Sequence, residues 1–172
     1  MTLDQIRALD LGARFPGQFP GLKVPTFDEA LDLAKKGGIG IYVDTKQAAP
    51  RDLVAAIERH DMGDHVMFWS EHPDFLAEIA ALRPHWTLMP EAFNPGHVRN
   101  VLDLLHPTVI GFGDRDFNTP TIVAAREAHV GIFVDRQTPQ QCQDAIDQGA
   151  TGIQTDYPVE LVTFLRAKKL HK

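Results

Sequence analysis

Gly40-Ile41-Tyr42-Val43-Asp44 (GIYVD), Gly131-Ile132-Phe133-Val134-Asp135 (GIFVD) and Gly152-Ile153-Gln154-Thr155-Asp156 (GIQTD) are three versions of one five-residue phrase. Each opens Gly-Ile, is rich in β-branched or aromatic residues, and closes on aspartate. Such residues favour strands. The segments before the first and third phrases have helical design. Thr26 with Glu29 forms a capping box, Phe27, Ala30, Leu31 and Ala34 make an apolar stripe, and Gly37 is the expected stop. Thr138-Pro139 opens the second such helix and Gly149 ends it.

Working outward, further strands are expected at 65–70, 86–89 and 108–113. Helices are expected at about 50–61, 73–83, 95–105, 119–128 and 158–168. Strand ends then fall at 44, 70, 89, 113, 135 and 156. Strands alternating regularly with helices mean βα units and a parallel sheet. The even interval and the repeated phrase favour a partial TIM (βα) barrel of about six parallel strands over an open doubly wound sheet. Residues 1–22 read as loop after one short helix.

Composition limits the alternatives. A chain of 172 residues suits one domain, taken here as 1–172, and 44% apolar with 23% charged residues is a globular balance. A formal charge of −6 argues against a nucleic-acid partner. Cys142 is the only cysteine, which excludes a disulfide framework and a cysteine zinc cluster. No apolar run approaches the ~18 residues of a membrane span, and the start lacks a signal-peptide core. The chain as written is expected to be cytoplasmic, though a longer form could carry an export signal upstream.

Side chains alternate along a strand. Ile41 and Val43 should face helices, whereas Tyr42 and Asp44, with Lys46 beyond, should face the barrel axis at its carboxyl end, where TIM-barrel sites lie. The adjacent charges make Asp44 the leading candidate. Asp114, Asp135 and Asp156 reach the same rim, but an aspartate there also caps a helix or forms a turn.

With these residues in place, the chain resembles the glycerophosphodiester phosphodiesterase family, from residue 2 to about 166. Thr2 to Gly12 looks like its helix and "LD-G" turn. Lys23-Val24-Pro25-Thr26-Phe27-Asp28-Glu29-Ala30-Leu31 is similar to its "IPTLEEAL" signature. Tyr42-Val43-Asp44-Thr45-Lys46 stands where the family has Glu-x-Lys, and Gly149 to Pro158 follows its ending "GADGI-TD-P". The resemblance implies a TIM barrel that hydrolyses a glycerophosphodiester to glycerol 3-phosphate and an alcohol, a step of lipid metabolism. It also implies a divalent cation, calcium or magnesium.

The sequence also departs from the pattern. It contains no His-Arg-Gly, the family's metal acid is replaced by the shorter Asp44, and Val134-Asp135 replace a usual Trp-Thr. The alignment implies strands three to eight of the family barrel, without the first two. On that basis we expect Asp44, Glu71 and Asp156 as metal ligands, Lys46 as a phosphate contact, and Trp69 and Glu91 as substrate contacts. His72 is the candidate catalytic acid or base, and Trp86 the packing residue. His97, in the loop after Glu91, is a lesser candidate, and His60, His65, His85, His106, His129 and His171 are expected at helix ends or strand starts, away from the site. A cation held by so few oxygens would be weakly bound. A chain without the usual acid and base would be a poor catalyst, so a non-catalytic scaffold is the alternative reading. Two open sheet edges would remain, to be covered by residues 1–25, by a second copy in a homodimer, or by another polypeptide.

Overall fold

The computed structural model describes residues 1–15 and 17–171. Its helices are α1 (Leu3–Arg7), α2 (Phe27–Gly37), α3 (Pro50–Arg59), α4 (Pro73–Leu82), α5 (Pro95–Leu105), α6 (Thr119–Glu127), α7 (Pro139–Asp147) and α8 (Pro158–Ala167). The strands are β1 (Ile41–Asp44), β2 (Val66–Ser70), β3 (Thr87–Pro90), β4 (Val109–Phe112), β5 (Gly131–Asp135) and β6 (Gly152–Gln154). From α2 onward every strand is followed by a helix. The partial barrel expected from the repeated phrase is the fold.

All strand pairs are parallel. They form two three-stranded sheets, β1-β2-β3 and β4-β5-β6. A bridge between Glu91 and Gly111 joins the sheets, with the Ala92 N–H donating to the Gly111 carbonyl at 3.0 Å. The result is an arc in which, among the described residues, β1 and β6 each have one strand neighbour. The described residues among 1–25 contribute no strand to either sheet. Instead, Arg7 is tied to Glu29 on α2 at 2.7 Å.

Alternation works as the sequence predicts. Val43 is buried with Leu31 and Ala34 of α2 and Leu53, Val54 and Ile57 of α3. Ile132 and Val134 are buried with Val98, Val101, Ile122, Ala125 and Ala145 from α5, α6 and α7. The two clusters are distinct, one behind each sheet. Burial of these aliphatic side chains is the main stabilising contribution, about 1.5–3 kcal/mol for each fully buried one.

The caps are set locally. Thr26, Asn118 and Thr138 each close a capping box. One expected stop shifts by a residue. Helix α2 runs through Gly37, and Gly38 takes the left-handed turn at φ 64°, a conformation that glycine adopts without steric cost. Trp86 is buried and stacks on Phe68 at 5.9 Å, a core role. Among the described residues no helix is long and apolar enough to cross a membrane.

Candidate active site

The inward-facing side chains converge at the carboxyl ends of the strands on a cavity of about 450 Å³. Tyr42, Trp69 and Phe133 supply aromatic wall, and Asp44, Glu91, Asp114 and Asp135 supply carboxylates. The register explains the assembly. Asp44 pairs with Trp69 across β1 and β2, Trp69 with Met89 across β2 and β3, and Asp135 with Gln154 across β5 and β6. These residues therefore stand at neighbouring levels of the rim. Below them Tyr42 and Phe133 stack across the interior at 6.5 Å, one from each sheet.

Lys46 donates to both oxygens of Asp44, at 2.7 and 3.0 Å, and its Nζ lies 5.3 Å from the Trp69 ring centre. A cation on the face of an indole is attracted by the ring quadrupole. The pair is exposed, so solvent screens much of its attraction. Across the cavity Arg136 is 11% exposed and already engaged. Its Nη1 donates to Asp114 at 2.8 Å and to the Asp135 carbonyl at 2.6 Å, and its guanidinium lies over Phe117. Gln137 holds the Asp135 carboxylate and accepts from the Asp156 N–H at 2.9 Å.

Two titrating groups are displaced from their ordinary values. Burial, and then the charges of Asp44, Glu91 and Asp135, push the Tyr42 phenol up, so it remains a proton donor. Burial, followed by the charges of Glu71 and Asp116, raises the Glu91 carboxyl. A half-buried acid with a raised pKa inside a cleft is a common feature of functional sites.

Asp44, Trp69 and Glu91 line the cavity, and Lys46 stands on its rim against Trp69. Asp114 and Asp135 also line it, whereas His72, Glu71 and Asp156 lie elsewhere. His72 precedes α4 with its side chain 79% exposed, 3.9 Å from Glu71. Asp156 is exposed, and it meets the rim through its backbone N–H, which donates to Gln137. Among the described residues no three His, Cys, Asp or Glu side chains converge as a metal-ligand set. With Asp44 already neutralised by Lys46, the residues of this chain do not by themselves form a cage for a hard cation, which takes six or more oxygens. Phe133, Arg136 and Gln137 were not among the sequence candidates. Phe133 occupies the position of Tyr42 in the repeated phrase, and that equivalence was the available signal. Arg136 and Gln137 lie beyond the strand, where alternation gives no direction.

The arc of parallel βα units with a polar cavity at its carboxyl rim defines the class, a TIM-barrel-like protein. No protein-family model matches the chain. A curated relative is the glycerophosphodiester phosphodiesterase of Caldanaerobacter subterraneus subsp. tengcongensis. It is 25% identical over 185 residues, covering 96% of this chain and 71% of that protein. Among solved structures, an Oleispira antarctica phosphodiesterase in complex with the product sn-glycerol-3-phosphate aligns with a TM-score of 0.86 at 17% identity. That match covers 96% of this chain and 71% of the other. A glycerophosphodiester phosphodiesterase from Agrobacterium tumefaciens aligns with a TM-score of 0.74 at 22% identity, covering 91% and 68%. The chain is thus related to the glycerophosphodiester phosphodiesterases, as its motifs indicated, and shares their barrel architecture.

Proposed function

We propose that the cavity binds a glycerophosphodiester and that the chain is a phosphoric diester hydrolase forming glycerol 3-phosphate and an alcohol. The observation that carries this reading is the Asp44–Lys46 pair. It stands on the cavity rim at the position of the family's Glu-x-Lys, in a chain related to a protein of that activity. The product bound by the Oleispira neighbour supports the substrate class. Lys46 would leave Asp44 to meet the phosphate, Trp69 would pack against the substrate, and Glu91 would hydrogen-bond it.

His72, with Glu71 beside it, remains the proposed proton carrier and would have to swing over the rim. Removing such a group typically costs 10²–10⁴-fold in rate. A calcium or magnesium ion belongs to the proposal only through Asp44, since Glu71 and Asp156 do not line the cavity. The second reading is a binding or assembly scaffold without catalysis, favoured by the exposed position of His72. A second copy meeting the open edges of β1 and β6 is proposed as the partner.

The deciding experiment is hydrolysis of glycerophosphocholine by the purified chain with calcium, with magnesium and with EDTA, beside Lys46→Met and Asp44→Ala. Turnover that falls at least tenfold in Lys46→Met supports the hydrolase. Absence of turnover, with glycerol 3-phosphate still binding in a Lys46-dependent way, supports the scaffold.

A further inference from the structure

His60 sits at the carboxyl end of α3 and faces two carboxylates of α2 at once. Its Nδ1 lies 2.7 Å from an oxygen of Asp32, and its Nε2 lies 2.8 Å from an oxygen of Asp28. A carboxylate only accepts, and a neutral imidazole carries one N–H. Both contacts are therefore hydrogen bonds only when the ring is the imidazolium. The side chain is 15% exposed, which limits exchange of either partner for water.

Two cations also stand close by, and the carboxylates must outweigh them for the ring to hold its second proton. From α3, Arg59 donates to the same Asp28 oxygen at 2.8 Å. From α2, Lys35 donates to the His60 carbonyl at 2.7 Å and lies 3.5 Å from Asp61. The two carboxylates hold the His60 ring above its ordinary pKa, against the opposing effect of burial.

These helices flank one strand. Helix α2 leads through Gly38 into β1, and α3 follows it, with Val43 packed against both. Strand β1 has a strand neighbour on one side only, so its position depends more than that of an inner strand on the helices behind it. It also delivers Asp44 to the cavity rim.

We propose that His60 is a pH-dependent positioning residue. As an imidazolium it staples α2 to α3 around β1, and its deprotonation loosens the edge of the barrel that carries Asp44 and Lys46. A proton leaving either ring nitrogen turns one donor into a lone pair facing a carboxylate. The group is raised in the folded state, so its contribution is complete below about pH 6.5. It is lost as pH rises through the folded midpoint.

The test is a ring-nitrogen NMR titration of the whole chain from pH 5 to 9, paired with amide protection factors across α2 and β1. The expected result is a His60 midpoint above about 6.5. Protection at residues 41–44 should then fall as pH rises from about 6.5 to that midpoint, by up to about tenfold for each unit of pH, and level off above it. Asp32→Asn, which keeps the shape and one carboxylate, should move both transitions to lower pH together. His60→Gln should show low protection at every pH. A His60 midpoint at or below about 6.5, or protection that does not fall between about pH 6.5 and the midpoint, overturns the proposal. Neither readout depends on catalysis, so the outcome stands apart from that of the hydrolysis assay.

Discussion

Gly152 opens the last copy of the repeated phrase, and its lack of a side chain has a specific use. It pairs with Phe133, and a Cβ placed on it would lie 2.1 Å from the Phe133 ring. That ring also stacks on Tyr42 across the interior. Gly152→Ala is therefore expected to displace Phe133 and cost about 1–3 kcal/mol, the usual range for overpacking, read as a lowered urea midpoint at unchanged slope. The glycine of the first phrase serves a related end, since a Cβ at Gly40 would lie 3.0 Å from the His65 carbonyl. Glu91 gives a prediction of opposite sign. Its carboxyl is raised in the fold, so its ionisation costs the native state as pH climbs past the ordinary carboxylate range. Glu91→Gln should raise the melting temperature at pH 8 and leave it unchanged near pH 4. A drop at pH 8 would mean that the carboxylate makes a favourable contact instead.

Helix α2 depends on its first turn. Thr26 accepts from the Glu29 N–H at 3.1 Å, and Glu29 accepts from the Thr26 N–H at 2.8 Å and from Arg7 at 2.7 Å. Thr26→Ala should destabilise the protein by about 1 kcal/mol, measured by urea denaturation at pH 7. The Arg7 hydrogen bond, with the Thr26 N–H second, holds the Glu29 carboxyl down to about 2. Its contribution is then present above about pH 4.5 and disappears as pH falls toward 2. Glu29→Gln should flatten that part of the acid limb. Such elements were readable because their signals are local: a cap, an alternation, a glycine past the last turn. The site was readable only where those signals reached it. Alternation along β1 aimed Asp44 at the cavity, Trp69 lies within β2, and Glu91, one residue past β3, is held in line by its bridge to Gly111. Glu71, which has no such bridge, His72 and Asp156 lie in the turns after strands, where backbone direction is not periodic and sequence gives no heading. Arg136 escaped notice for the same reason. Its partners Asp114 and Phe117 come from the preceding βα turn, 22 and 19 positions earlier in the sequence.

At the scale of the molecule, the arc ends in two strands with one neighbour each, and unpaired parallel edges invite another strand. Sedimentation of the purified chain is expected to show a mass that rises with concentration. A mass that stays monomeric at every concentration would remove the proposed homodimer. The middle of the arc has its own implication. The strand hydrogen bonding between the two sheets passes through the Glu91–Gly111 bridge, and each sheet keeps a separate apolar cluster, with α5 sending side chains into both. The molecule is built as two (βα)₃ modules, and the seam between them is a natural place to divide it. A backbone cut between α5 and β4, at residues 106–108, should leave two pieces able to find each other again. The cavity, which draws its walls from both modules, would then report their reunion.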